Sequence, residues 1–175
     1  MITIDDYLPF AYGSLILERT NPNNNFWAQL FEKAYAKVNG NYDMVNYGWQ
    51  SEALRFVTGA PTYMYYCSSY SASAMYAMVV SALGRGFNVG CDTGSSSGWN
   101  LPTSHAYAVL ATYVVIDDAG ASHNLLRVRN PWGIDEFSGT WCDSSSAWTT
   151  KTKSQVIYVN NPNDGAFYIE DKDFI

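Results

Sequence analysis

Positive charge and long apolar runs are both scarce in this sequence of 175 residues. Lys and Arg number 10 against 16 Asp and Glu, so the formal net charge is −6 and the pI is about 4.7. Because no basic patch is available to neutralise phosphates, we expect no nucleic-acid partner. The longest apolar runs, residues 77–83 and 106–116, are too short or too polar for a bilayer, so we expect no membrane span.

Cysteine is sparse as well. Cys67, Cys91 and Cys142 form an odd set without a CxxC spacing, which indicates neither a disulfide framework nor a zinc site. Residues 1–6 lack the basic and apolar regions that open a signal peptide. Together these absences favour a reducing compartment, and we expect the protein to be cytoplasmic.

What the sequence does contain is enough apolar material for a folded core. Hydrophobic residues make up 47% of the chain and aromatic residues 16%, which excludes a disordered chain. From residue 26 to residue 38 the apolar positions recur at spacings of one, three and four, which predicts an amphipathic helix ending at Gly40. On either side, shorter elements are predicted, namely strands at residues 2–8 and 14–18 and helical pieces at residues 41–48 and 51–57.

The Thr58-Gly-Ala-Pro61 segment is the best candidate boundary, because the chain before it is mostly helical and the chain after it is rich in β structure. We therefore predict two parts, residues 1–58 and residues 59–175. In the second part we predict a helix at residues 73–83 and strands at residues 106–116, 124–129, 155–159 and 167–169. The expected fold class is α+β with an antiparallel sheet.

His105 and Asn130 are the strongest candidates for chemistry. The β-rich residues between them can form two antiparallel strands that bring the imidazole and the amide side by side. An amide oxygen that accepts a hydrogen bond from one imidazole nitrogen orients the other nitrogen toward a thiol, as in a Cys-His-Asn triad. The alternative for His105 is that it is a buried core histidine. His123 lies in a predicted hairpin turn and is expected on the surface.

Several segments, in this order and spacing, resemble the catalytic core of the calpains, which are papain-like cysteine peptidases. They are Ile4-Asp-Asp-Tyr-Leu-Pro9, Phe26-Trp27, Glu32-Lys-Ala-Tyr-Ala-Lys-Val-Asn-Gly40, Glu52-Ala-Leu54, Thr58-Gly59, His105-Ala-Tyr107, Arg129-Asn-Pro-Trp-Gly133, Gly139-Thr-Trp141 and Asp164-Gly165. The resemblance implies a papain-like α+β fold, with the end of the first lobe in residues 1–58 and the second lobe in residues 59–175. It also implies catalytic positions for His105 and Asn130, with Trp132 shielding the pair from water.

The resemblance leaves the nucleophile unaccounted for. The family's nucleophilic Cys and its oxyanion-hole Gln are expected on a segment preceding Met1. Cys67 is the one candidate replacement, and its surroundings do not resemble that segment. We therefore expect these residues to supply the His/Asn half of an intracellular cysteine endopeptidase and to be inactive alone. The alternative is a catalytically dead module with a structural or protein-binding role.

Three acidic residues match family positions that bind calcium, namely Glu136, Asp143 and Asp164. Ca²⁺ binds several oxygens that converge from loops. A further family ligand position is Ala166 here, which removes one carboxylate. The resemblance thus implies a possible but weak Ca²⁺ site, and the alternative is an ordinary acidic surface.

Other departures from the family pattern concern the cleft. Ser104 and Ala60 each stand where calpains usually have Gly. The expected partners are protein or peptide substrates, or the missing N-terminal protease segment. On the predicted 26–38 helix, Phe26, Leu30, Phe31 and Ala34 are expected to be buried, with part of the apolar surface left exposed for a protein partner.

Overall fold

The computed structural model describes residues 1–11, 14–15, 25–134, 137–161 and 163–175. This part of the chain forms two compact units, Met1–Met64 and Tyr65–Ile175. The assignment of residues 1–58 and 59–175 to two lobes of a protease core stays a prediction. Within the described residues, no helix is both long and apolar enough to cross a membrane.

The first unit combines a short strand pair with two helices. Its elements are strands β1 (Phe10–Ala11) and β2 (Ser14–Leu15), helix α1 (Trp27–Asn39), a 3₁₀ helix (Tyr42–Val45) and helix α2 (Gln50–Thr58). Gly40, with φ 112°, follows α1, and Gly59, with φ 69°, caps α2 by donating its N–H to the Arg55 carbonyl. Tyr35 of α1 packs on Phe56 of α2 with ring centroids 4.9 Å apart.

The second unit is built on a four-stranded antiparallel sheet. Its elements are helix α3 (Ala72–Gly84), strands β3 (Val89–Asp92), β4 (Ala106–Ile116) and β5 (Ser122–Arg129), helix α4 (Thr150–Lys153), strand β6 (Ala166–Glu170) and helix α5 (Asp171–Phe174). The strand order is β3-β4-β5-β6, with every neighbouring pair antiparallel. The predicted α+β class is confirmed.

Both faces of this sheet are covered, and the alternation of side chains along the strands explains why. Leu126 and Val128 of β5 join one apolar cluster, which also holds Tyr76 and Val79 of α3. Leu125 points to the opposite face, where it packs in a second cluster with Trp141 and Trp148. Strand β6 is buried at every residue, which accounts for the apolar run from Ala166 to Ile169.

Two predicted strands are wrong. Residues 2–8 form no strand, because the Asp5 carboxylate accepts the Tyr7 N–H and so turns the backbone locally. Residues 155–159 are turn and coil. There, the Gln155 side-chain amide pairs with both the N–H and the C=O of Ile116, each at 2.9 Å, and satisfies these groups without another strand.

Helix α1 is present as predicted, but its buried face differs in part. Leu30 and Ala34 are half-buried, Phe26 and Phe31 are exposed, and Gln29 and Ala36 are the buried residues. Trp27 and Phe31, one turn apart, pack edge to face with ring centroids 6.1 Å apart, and both remain exposed. The expected exposed apolar surface on this helix is therefore present, although through a different set of residues.

Candidate active site

The register of the central strands brings His105 and Asn130 to the same end of the sheet. His105 directly precedes β4 and Asn130 directly follows β5, and Ala108 pairs with Arg129 between them. His105 Nε2 lies 2.9 Å from Asn130 Oδ1. The predicted contact between the two side chains is confirmed, whereas their catalytic role stays a prediction.

Asn130 is held so that its oxygen, not its nitrogen, faces the imidazole. Its Oδ1 also accepts the Trp132 N–H at 2.9 Å, a bond that only the oxygen could accept. The Asn130 N–H donates to the Gly165 carbonyl at 2.8 Å, and the residue is 1% exposed. Since Oδ1 is an acceptor, Nε2 of His105 carries the proton, and Nδ1 presents the lone pair that could accept a proton from a thiol.

The turn after β5 gives the amide its position. The Asn130 carbonyl accepts the Gly133 N–H at 3.1 Å, with Pro131 at the second position, where its fixed φ suits such a turn. Gly133 and Gly165 both have φ 71°. A Cβ on Gly165 would lie 2.6 Å from the Asn130 carbonyl oxygen, so this close approach requires glycine.

Two aromatic rings flank the imidazole. The Trp132 ring lies 4.1 Å from the His105 ring, centroid to centroid, with a 39° tilt. Trp132 is 50% exposed, so one face covers the imidazole while the other meets solvent. Tyr107, two residues along β4, packs edge-on to His105 at 4.8 Å. The predicted packing of Trp132 on the pair is confirmed.

Thr93 is a neighbour of His105 that the sequence did not reveal. It follows β3, and its Oγ1 accepts the His105 N–H at 3.0 Å. No local motif signals this contact, because it depends on how β3 and β4 pair. Tyr107 could have been found, since alternate residues of a strand share a face and His105-Ala-Tyr107 has that spacing.

Two of the three thiols, those of Cys67 and Cys91, are poorly suited to act as the nucleophile. Burial raises the pKa of the Cys67 thiol, which disfavours the thiolate that attack requires. Burial also raises the pKa of Cys91, and the nearby Asp92 raises it further. Cys142 lies in a turn with its Sγ 3.6 Å from Ser144 Oγ. The prediction that Cys67 does not replace the family nucleophile is consistent with this geometry.

The described acidic residues give an incomplete calcium ligand set. One Asp143 oxygen accepts the Asn161 N–H at 3.1 Å, and one Asp164 oxygen accepts the Ala166 N–H at 2.8 Å. Burial raises the pKa of Asp143, and the negative charge of Asp164 adds to this. Glu136 lies outside the described residues. In the part of the chain that is described, no group of three His, Cys, Asp or Glu side chains could hold a metal ion.

His123 differs from its predicted surface position. It lies within β5, its side chain is 21% exposed, and both ring nitrogens face carboxylates. Nδ1 is 3.0 Å from Glu170 Oε1, and Nε2 is 3.3 Å from Asp117 Oδ2. This cluster lies at the opposite end of β5 from Asn130, so His123 is not part of the His105 site.

Comparison with known proteins agrees with the resemblance in the motifs. A family model described as calpain family cysteine protease matches residues 1–175. The calpain-1 catalytic subunits of Mus musculus and Homo sapiens are 37% and 34% identical over 183 residues, which cover 99% of this chain and 25% of each relative. Human calpain-12 is 34% identical over 181 residues, again covering 99% of the chain and 25% of the relative. The chain thus spans about a quarter of the length of the curated relatives it matches. With its papain-like combination of helices and an antiparallel four-stranded sheet, the chain belongs to the calpain family of cysteine proteases.

Proposed function

We propose that this chain supplies the His/Asn half of a Cys-His-Asn active site in a cytoplasmic, calpain-like endopeptidase that cleaves protein substrates. The observation that carries the proposal is the 2.9 Å contact between His105 Nε2 and Asn130 Oδ1. The Trp132 ring against the imidazole supports it, because partial exclusion of water strengthens that hydrogen bond. Family membership supports the reaction class.

The chemistry follows from the tautomer. Nδ1 of His105 takes the proton of a cysteine thiol, and the thiolate attacks the scissile carbonyl carbon. The imidazolium then gives its proton to the departing amine, which leaves an acyl-enzyme. Water, deprotonated by the same nitrogen, hydrolyses this intermediate and regenerates the thiol. Throughout the cycle, Asn130 Oδ1 holds Nε2–H and so keeps the ring in one orientation.

In this proposal the nucleophile comes from a segment outside these 175 residues. The raised thiol pKa values of Cys67 and Cys91 support that view, since neither thiol is activated. The segment would also carry the Gln that stabilises the oxyanion. The missing N-terminal protease segment is thus the first partner that we propose for this chain.

The test begins with the transcript sequence upstream of Met1. We expect it to encode a Gln followed by Gly-Asp/Asn-Cys-Trp. The longer protein should then cleave a protein substrate, and His105→Ala should lower that rate by about 10²–10⁴-fold. His123→Ala serves as the control, because this histidine lies at the other end of β5 and should leave cleavage largely unchanged.

The 175-residue chain itself should be inactive on peptides, with or without calcium, and Cys67 should not react with an active-site-directed thiol reagent. His105-dependent turnover by this chain alone would contradict the proposal and make Cys67 the candidate nucleophile.

A second candidate function is that of a structural or protein-binding module. The observation that favours it is the pair of exposed aromatic side chains on α1, Trp27 and Phe31, which remain 61% and 45% exposed. An upstream sequence with no cysteine at the expected motif would favour this function over catalysis.

We propose only weak binding of calcium to this chain. Glu136, Asp143 and Asp164 are the residues that we propose to bind it, but calcium takes six to eight oxygens, and the described part offers two carboxylates near one loop. No step of the proposed reaction involves this ion.

A further inference from the structure

The backbone of His105 is held on both sides by one residue, Thr93. The Thr93 N–H donates to the His105 carbonyl at 2.9 Å, and Thr93 Oγ1 accepts the His105 N–H at 3.0 Å. The same hydroxyl donates to the Pro102 carbonyl at 2.6 Å. A single side chain thus ties together the turn that precedes His105 and the peptide of His105 itself.

This contact lies where the regular strand ladder ends. The last paired residues of β3 and β4 are Asp92 and Ala106, and Ser104 N–H bonds to the Gly94 carbonyl beyond them at 2.8 Å. Ser104 has φ 51°, so the chain turns away from a strand conformation immediately before His105. The threonine hydroxyl accepts the hydrogen bond from the His105 N–H at the point where the ladder of paired strand residues ends.

The connection between β3 and β4 contains further hydrogen bonds, from the Leu101 N–H to the Gly98 carbonyl at 3.0 Å and from the Ser138 N–H to the Trp99 carbonyl at 2.9 Å, which act upstream of the turn at Ser104. Trp99 and Asn100 have φ 57° and 63°, which are left-handed conformations that non-glycine residues adopt at a cost. Such backbone persists only where surrounding contacts hold it. The Thr93 hydroxyl acts nearer to the imidazole, because its partners are the Pro102 carbonyl and the N–H of His105 itself.

We propose that Thr93 is a positioning residue of the active site, whose hydroxyl sets the His105 backbone so that Nε2 meets Asn130 Oδ1 and Nδ1 faces the incoming thiol. The catalytic role of Thr93 rests on the proposed function. The effect of Thr93 on the orientation of the His105 ring does not, and it can be measured in this chain without any nucleophile.

The test is NMR of the ¹⁵N-labelled 175-residue chain, in which the two histidines give two pairs of imidazole nitrogen signals. His123→Gln assigns them. At about pH 8.5, roughly two units above the ordinary imidazole pKa of about 6.5, the nitrogen shifts of a neutral ring report its tautomer. We expect wild-type His105 to be almost entirely the Nε2–H form, because Asn130 Oδ1 accepts that proton.

Thr93→Val removes the hydroxyl and keeps the β-branched shape. We expect the equilibrium between the held ring and a released ring to shift by about fivefold toward release, the size expected for one net hydrogen bond, so that the averaged nitrogen shifts of His105 move toward those of the Nδ1–H form. Thr93→Ser, which keeps the hydroxyl, should restore the wild-type spectrum. Thr93→Ala provides a second variant without the hydroxyl.

Thr152→Val is the matched control. Thr152 Oγ1 donates to the Ala147 carbonyl at 2.7 Å and is 1% exposed, so its loss should lower stability without changing the His105 tautomer. A wild-type tautomer in folded Thr93→Val would overturn the proposal, as would the same mixture in Thr93→Ser. Unfolding of both Thr93→Val and Thr93→Ala would make Thr93 a general fold determinant and overturn it too. Failure of the longer protein to cleave substrate would leave these spectra unchanged and would bear on the proposed function alone.

Discussion

At the scale of single residues, one oxygen atom organises the candidate site. Asn130 Oδ1 accepts two hydrogen bonds, from His105 Nε2 and from the Trp132 N–H, each at 2.9 Å. The second bond fixes which way the amide faces, and the amide then fixes the imidazole tautomer. Because Asn130 is buried, a carboxylate in its place would carry a desolvation cost that the neutral amide avoids.

Ser104 has a backbone conformation that most residues adopt only at a cost. Its φ is 51°, and its side chain is exposed, so substitutions there act mainly through the backbone. Ser104→Val should destabilise the chain by about 1–2 kcal/mol, because a β-branched residue disfavours the left-handed region. Ser104→Gly should change stability by less than about 0.5 kcal/mol, since relief of backbone strain offsets the added entropy of the unfolded chain.

Urea denaturation measures both variants. Ser95→Val is the control, because Ser95 is exposed in the same connection and lies outside the left-handed region. Equal stability of Ser104→Val and Ser104→Gly would show that the backbone at residue 104 is not strained.

At the scale of elements, the β4–β5 hairpin is held at the end far from the candidate site by a cluster of His123, Asp117 and Glu170, here called the His123 clamp. His123 bridges Asp117, which follows β4, and Glu170, the last residue of β6. Carboxylates only accept hydrogen bonds, so an imidazole with both nitrogens facing them is best satisfied as the doubly protonated cation. Lys172 of α5 pairs with Glu170 at 2.9 Å, and Asp171 accepts from Asn124, so α5 is tied to the same cluster.

This clamp predicts a pH dependence of stability. Burial alone would lower the pKa of His123, but the hydrogen bonds that its ring donates to Glu170 and Asp117 outweigh burial and raise the pKa. A raised pKa means that the folded state holds the proton more tightly than the unfolded state does. The stabilisation, about 1–2 kcal/mol for a charged hydrogen-bonded bridge, is therefore fully present below about pH 6.5 and is lost as pH rises through the folded pKa.

Thermal unfolding of the wild type and of His123→Gln across pH 5.5–9 checks this. The difference in stability between the two proteins should shrink as the pH rises. His105→Gln is the control, and its stability should fall with rising pH as that of the wild type does. A difference that stays constant with pH would mean that His123 is neutral in the folded chain.

At the scale of the whole molecule, the carboxylates that could bind calcium lie on different segments of the chain. Asp143 follows Trp141 in one loop, whereas Asp164 precedes β6, and the backbone of Asn161 contacts both. A calcium ion would have to draw its ligands from these separate segments. Its affinity therefore depends on the tertiary arrangement rather than on any local motif.

Calorimetric titration of the chain with calcium tests that arrangement. We expect a Kd in the upper part of the roughly 10⁻⁴–10⁻³ M range or no binding, because Ala166 supplies no carboxylate. Asp143→Ala should abolish any heat of binding, while Asp6→Ala, which removes an exposed carboxylate in the other unit, should not. Tight binding that survives Asp143→Ala would show that the three carboxylates are not the site.

Sequence and tertiary structure contributed different parts of this picture. Helix α1 follows from apolar spacing with a period near 3.6, and helix α3 and strands β4 and β5 follow from their apolar, β-rich or turn-bounded segments, all of which are local properties. The motifs around His105 and Asn130 named the candidate pair and the family for the same reason, because each is a short contiguous segment. The false strand at residues 155–159 shows the limit of local patterns, because a side-chain amide there satisfies Ile116 in place of a strand.

Only the tertiary structure determined the contacts that depend on the register of strand pairing. Thr93 reaches His105 because β3 pairs with β4 in one alignment, and His123 reaches Glu170 because β5 pairs with β6 in another. A shift of one residue would turn each of these side chains to the opposite face of the sheet. Register is set by packing and turn geometry across the whole unit, so neither contact could be derived from the residues surrounding it in the sequence.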